Sequence, residues 1–214
     1  MPAKVDEREY RYWMQKEPVE VRTLEDGQDV VEGYATTWDE YLLWDDGEYA
    51  MYERFDPNAY ADVDLSDVIM QYDHKGRVFA RGSNGTLVVS PDDHGLHIRA
   101  YLGGTENGRR LMEEIKGGYT TKMSQGFRVE EEKREIIENS VSHRVEIHRT
   151  ILKVRKLYDV SAVSLPANDA TEITSRNLCE GVIAEVRQEI ANRERRENQK
   201  KRLKILLEVQ KNEV

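Results

Sequence analysis

Between Val30 and Pro166 turn-forming residues cut most of the chain into short β-rich runs, some compact and apolar and some alternating, with a single strong helical pattern among them. Val30-Val31-Glu32-Gly33-Tyr34-Ala35 reads as a strand following the Asp26-Gly27 turn. Val68 to Tyr72 is a compact apolar strand that ends at Asp73-His74. Gly85 to Val89 and Leu96 to Tyr101 flank Pro91-Asp92-Asp93-His94-Gly95 and predict a hairpin. From Met123 to Val129, Met123, Phe127 and Val129 share one face, while Ser124, Gly126 and Arg128 share the other. The serine hydroxyl is therefore expected opposite the apolar side of its strand, open to a cleft. After a charged segment, Glu130 to Glu138, the run Val141 to Ile151 pairs back as a hairpin, and Val154 to Leu165 supplies a last strand stopped by Pro166.

Helical signals are fewer. Asp56-Pro57-Asn58-Ala59-Tyr60 predicts a turn into a short helix. Thr105 is placed to cap a helix whose Leu111, Met112 and Ile115 fall on one face, and Gly117-Gly118 stop it. Beyond Leu178, the stripe Leu178, Val182, Val186 and Ile190 has helical spacing and leads through a polar stretch to Leu203-Lys204-Ile205-Leu206-Leu207. The expected class is α+β, mainly β, in three parts: residues 1–29 as an arm or edge strand, 30–176 as the main domain, and 177–214 as a charged helical extension.

Composition narrows the function classes. A formal net charge of -9 argues against a general nucleic-acid binder. Ten acids against one base from Trp38 to Val68 read as a solvated loop. The single cysteine, Cys179, forms no intramolecular disulfide and reads as a small buried residue in a reducing compartment. No apolar leader or membrane-length run is present, so a soluble intracellular protein without a membrane partner is expected. His94 with His97 and His143 with His148 lack the companions a tetrahedral metal site needs, so no metal and no cofactor is expected.

One ordered set of residues carries chemistry. Ser124 follows His74 by fifty positions, and Asp159 follows Ser124 by thirty-five. Base, nucleophile, acid is not the order of chymotrypsin, subtilisin or the α/β-hydrolases. A serine hydroxyl needs a base within hydrogen-bond reach, which His74 can supply, and a carboxylate such as Asp159 can fix the imidazole tautomer. Glu53 and Asp73 are the alternative acids, and Asp159 is otherwise free to pair with Lys153, Arg155 or Lys156.

The sequence around each residue resembles the prohead protease family of tailed bacteriophages, relatives of the herpesvirus assemblins. Glu32-Gly33-Tyr34-Ala35 resembles the family's opening strand, and Phe55-Asp56-Pro57-Asn58-Ala59-Tyr60 its P-G-A-F segment. Tyr72-Asp73-His74 resembles the N-H-D histidine motif, with Asp73 before the histidine and Lys75 after it. Gly85-Thr86-Leu87 with Asp93-His94-Gly95-Leu96 is similar to the family hairpin, and Met123-Ser124-Gln125-Gly126-Phe127 to its S-x-G-F motif. Asp159-Val160-Ser161-Ala162-Val163-Ser164-Leu165-Pro166-Ala167 resembles E-V-S-x-V-x-x-P-A, with aspartate where the family usually has glutamate.

The resemblance runs from about Val30 to Arg176. It implies an assemblin-like β-barrel core of about six to eight strands with flanking helices. It also implies a serine endopeptidase in the host cytoplasm, inside the procapsid, with Ser124, His74 and Asp159 as catalytic residues. Its implied partners are the major capsid protein or a scaffold protein, whose scaffolding segment it cuts; it implies cleavage of itself and, by kinship with assemblins, a homodimer. The competing expectation is a non-catalytic assembly or scaffold module on the same fold, and a third is a metal-dependent hydrolase.

Overall fold

A computed structural model of the 214-residue chain describes residues 8–13, 19–139, 141–142, 144–163 and 169–212. The chain divides between Arg176 and Asn177 into two compact units. The strands of the first unit form two sheets.

In the larger sheet, β1 (Glu9–Trp13) lies antiparallel on β10 (Lys122–Glu138), which pairs antiparallel with β11 (Val145–Val163). β11 then serves two partners in parallel. Its first half pairs β5 (Tyr49–Phe55), which carries β4 (Tyr41–Asp45) at the edge. Its last turn-proximal residues, Asp159 to Ala162, pair β6 (Ile69–Tyr72), which continues into β7 (Lys75–Arg81). The smaller sheet runs β2 (Glu20–Thr23), β3 (Asp29–Thr37), β9 (Gly95–Ala100), β8 (Leu87–Pro91).

Alternation explains how the sheets share a core. Val31, Ala35, Leu96 and Ile98 from the smaller sheet meet Phe55, Met70, Met123, Phe127 and Val160 from the larger in one buried cluster. Phe55 and Phe127 meet edge to face at 5.2 Å. Burial of each such ring contributes about 2–3 kcal/mol.

α1 (Glu106–Lys116) is built as its sequence predicts. Thr105 Oγ1 accepts from the Gly108 amide at 3.0 Å, Leu111 and Ile115 are buried, and Gly118 adopts φ 74° just past the end. The second unit is carried by α2 (Asp169–Asn212), a single 44-residue helix that starts in the first. Cys179, Val182, Ile183 and Val186 on it are buried, whereas Leu203, Ile205, Leu206 and Leu207 are exposed. Among the described residues, no helix is long and apolar enough to cross a membrane.

The class is α+β with strands predominating, as the sequence predicts. Several details differ. Among the described residues the strands form open sheets of seven and four rather than a closed barrel. The acidic stretch Trp38 to Val68 is a solvated loop only in its second half, where Asp62, Asp64 and Asp67 are exposed in turns and between them; its first half forms β4 and β5, because Tyr49, Met51 and Phe55 alternate into the core. No helix follows Asp56, whose Oδ1 instead accepts the Asn58 amide at 2.9 Å and holds a turn. The charged segment Glu130 to Glu138 continues β10, and the two expected strands after it fuse into β11. Pro166, expected to stop that strand, and His143 lie outside the described residues.

Candidate active site

β10 and β11 bring the serine and the acid together through register. Ser124 stands opposite Ser161 and Gly126 opposite Asp159, so these four positions share one face of the pair. The histidine arrives differently. Tyr72 pairs with Lys75, leaving Asp73 and His74 as a two-residue hairpin loop with φ 47° and 57°. Positive φ at both central residues is the signature of the type I′ turn, whose twist matches the flanking strands. Aspartate and histidine tolerate this left-handed region better than bulkier or branched residues. The Asp73 amide donates to the Ala162 carbonyl at 3.1 Å, fixing the loop against the end of β11. The imidazole is thereby folded back over Asp159.

The resulting contacts form a line. His74 Nδ1 lies 2.5 Å from Asp159 Oδ2, and His74 Nε2 lies 2.6 Å from Ser124 Oγ. Ser161 Oγ donates to the same Asp159 Oδ2 at 2.8 Å. Both Ser124 and Asp159 are fully buried. With Nδ1–H donating to the carboxylate, Nε2 presents its lone pair to the serine hydroxyl.

The N-terminal strand closes over this line. Tyr12 stands opposite Ser124 and Tyr10 opposite Gly126 in the ladder. The Tyr10 ring packs on His74 at 4.6 Å. Arg8, just before β1, pairs through Nη2 with Asp159 Oδ1 and lies over the rings of Tyr10 and Tyr158, at 4.9 and 4.5 Å. Ser124 Oγ is also 2.8 Å from the Arg11 carbonyl oxygen. The hydroxyl has one proton and faces two acceptors, that carbonyl and Nε2. The sequence expects this serine to open onto a cleft; instead β1 and the His74 hairpin cover it, and its exposure is 0%.

Burial pushes the His74 pKa down, and the Arg8 guanidinium acts in the same direction, taking it to about 3. The imidazole is therefore neutral near pH 7, the state in which it can accept a proton.

Gly126 has a specific place here. A Cβ on it would stand 2.5 Å from Asp159 Oδ1 and 2.8 Å from Arg8 Nη2. Its bare α-carbon is the notch in which the carboxylate and the guanidinium meet. Gly126 thus lies beneath the acid.

The two alternative acids go elsewhere. Asp73 sits in the hairpin loop beside His74. Glu53 is fully buried in an ion cluster on the opposite face of β1. There Arg11 Nε donates to its Oε1 at 2.6 Å and Arg149 Nη1 to its Oε2 at 2.5 Å, while Arg149 also binds Glu9 and Glu132. Burial alone would raise the Glu9 pKa, but Arg149 and Arg11 outweigh it and bring it to about 2. Of the bases expected near Asp159, Lys153 pairs instead with Asp62 at 3.2 Å. Sequence reasoning missed Arg8 and this cluster; the alternation Glu9, Arg11 in a strand rich in aromatics was the available signal.

The remaining histidines hold other partners. His94 and His97 pack on the Tyr34 ring, and His148 Nδ1 lies 2.9 Å from Glu40. Among the described residues, no three His, Cys, Asp or Glu side chains gather as metal ligands.

The chain matches the family described as caudovirus prohead serine protease over residues 17–184. Among solved structures it is similar to the bacteriophage T4 capsid assembly protease, with 12% identity over 74% of this chain and 99% of that chain and a TM-score of 0.42. No curated protein matches it.

Proposed function

The chain belongs to the caudovirus prohead serine protease family, and on that premise we propose that it is a serine endopeptidase of head maturation in which Ser124 is the nucleophile, His74 the base and Asp159 the orienting acid. The observation that carries this reading is the unbroken line from Ser124 Oγ to His74 Nε2 and from Nδ1 to Asp159. In the reaction, Oγ attacks the scissile carbonyl carbon as its proton passes to Nε2. Asp159 stabilises the imidazolium through Nδ1–H. Collapse of the tetrahedral intermediate breaks the C–N bond, and Nε2 returns the proton to the leaving amine. Water then repeats the sequence on the acyl-enzyme, releasing the new carboxyl and restoring the serine.

The substrate is the scaffolding segment of the major capsid protein or a scaffold protein inside the procapsid, and the chain also cuts itself. One observation favours the competing reading, a non-catalytic assembly module: Ser124 is closed off from solvent. The test separates the two. Co-expression with the capsid protein should give a processed product that is absent with Ser124→Ala. Purified chain should yield autolytic fragments that the same substitution abolishes. Processing that persists in Ser124→Ala would overturn the assignment, and an intact precursor with wild-type chain would favour the assembly module.

A further inference from the structure

The base is neutral, but the surroundings make it a weak one. General base catalysis is most efficient when the pKa lies near the working pH. In serine proteases the carboxylate behind the histidine stabilises the imidazolium. Here that carboxylate is shared. One oxygen of Asp159 faces His74 Nδ1 and Ser161, and the other is held by Arg8.

We propose that Arg8 is a positioning residue of this site: docked in the Gly126 notch and held between the Tyr10 and Tyr158 rings, it fixes the Asp159 carboxylate and partly cancels its charge, and so sets the basicity of His74. This rests on the reading of His74 as the base. Three independent features of the geometry support it. The notch leaves room for the guanidinium beside Oδ1 only because position 126 has no side chain. Two aromatic faces hold the guanidinium from Tyr10 and Tyr158, which restricts a side chain that would otherwise be free to swing into water. Asp159 is fully buried, so the field of an adjacent cation is poorly screened by solvent.

Among the described residues, groups from several elements face the imidazole. Asp159 and Ser161 come from β11, Ser124 from β10, and Arg8 and Tyr10 from the N-terminal segment; Asp73 precedes it in the turn. Lys156 lies farther out, over the Tyr158 ring at 5.0 Å. Among the described residues, Arg8 is thus the cation in direct contact with the acid.

The experiment reads His74 directly by NMR titration of ring-labelled histidine in the full chain, with the His74 signal assigned by its loss in His74→Gln. The pH dependence of Ser124 labelling by a fluorophosphonate provides a second reading. Arg8→Gln should move the His74 titration, and the acid limb of labelling, upward by about one pH unit or more, a tenfold gain in proton affinity. Arg8→Lys keeps the charge and should stay close to the wild-type midpoint. Tyr158→Leu loosens the clamp without removing the charge and should move the midpoint upward by less than Arg8→Gln. A folded Arg8→Gln chain whose His74 titrates as in wild type overturns the proposal. The NMR reading does not need an active enzyme, so it can fail or succeed independently of the protease assignment, which Ser124→Ala tests.

Discussion

Gly126→Ala puts the smallest possible side chain into the notch beneath the acid, and its effect can be worked from distances. The new Cβ would lie 2.5 Å from Asp159 Oδ1, whereas ordinary contact begins near 3.4 Å. The carboxylate must therefore retreat by about 0.9 Å, and Arg8 must move with it, since Nη2 would be 2.8 Å from the same carbon. Asp159 Oδ2 is held at 2.5 Å by His74 and 2.8 Å by Ser161, so a shift of this size breaks the line at its acid end. Misplacement by ~1 Å costs about 10²-fold in rate, and complete loss of the orienting acid about 10⁴-fold. Gly126→Ala should label with fluorophosphonate about 10² to 10⁴ times more slowly than wild type, with an unchanged far-ultraviolet dichroism spectrum. Ser161→Ala, which removes one hydrogen bond and adds no bulk, is the control and should lose far less. Labelling of Gly126→Ala at the wild-type rate would refute the argument, because the acid would then tolerate displacement or play no part.

Two further predictions concern the whole unit. Arg149→Met strips three buried or nearly buried carboxylates, Glu9, Glu53 and Glu132, of their shared cation, and should cost about 3–5 kcal/mol in urea denaturation at neutral pH. Arg144→Met, which removes a partly exposed and solvent-screened pair with Asp45, should cost far less; equal losses for the two would show that the cluster contributes nothing special. On acidification, His74, whose pKa falls on folding, contributes stability that declines as pH drops from about 6.5 toward 3. Glu9, also depressed, contributes stability present above about 4.5 and lost as pH falls toward 2. The urea midpoint should therefore drop from pH 7 to pH 5 in wild type and drop less in His74→Gln, with a parallel decline in both counting against the burial of a neutral imidazole.

Much of the arrangement was legible because it is local. The strand around Ser124 announces its faces by alternation, Thr105 and Gly117-Gly118 mark both ends of α1, and His74 sits at the end of an apolar run. What escaped is non-local or inverted in sign. Glu53 belongs to a stretch dense in acids, and charge density reads as solvent exposure; only pairing with Arg11 and Arg149, 42 and 96 positions away, makes its burial tolerable. Arg8 has the same history, since 151 residues separate it from Asp159. The fused β11 escapes a reading from hydrophobicity, because its apolar run is interrupted by charged positions such as Arg155 and Lys156 that remain in the strand. Its exposed middle is held instead by pairing with β10 along nearly its whole length.

The three side chains are not mounted with equal firmness. Ser124 and Asp159 stand on neighbouring strands near the middle of a seven-stranded sheet, whereas His74 hangs from a two-residue tip whose ladder to β6 is only a few residues long. Heat or mild denaturant should detach the imidazole while the sheet still stands. Inactivation would then precede melting and reverse on cooling, making the tip, rather than the sheet, the fuse of the enzyme.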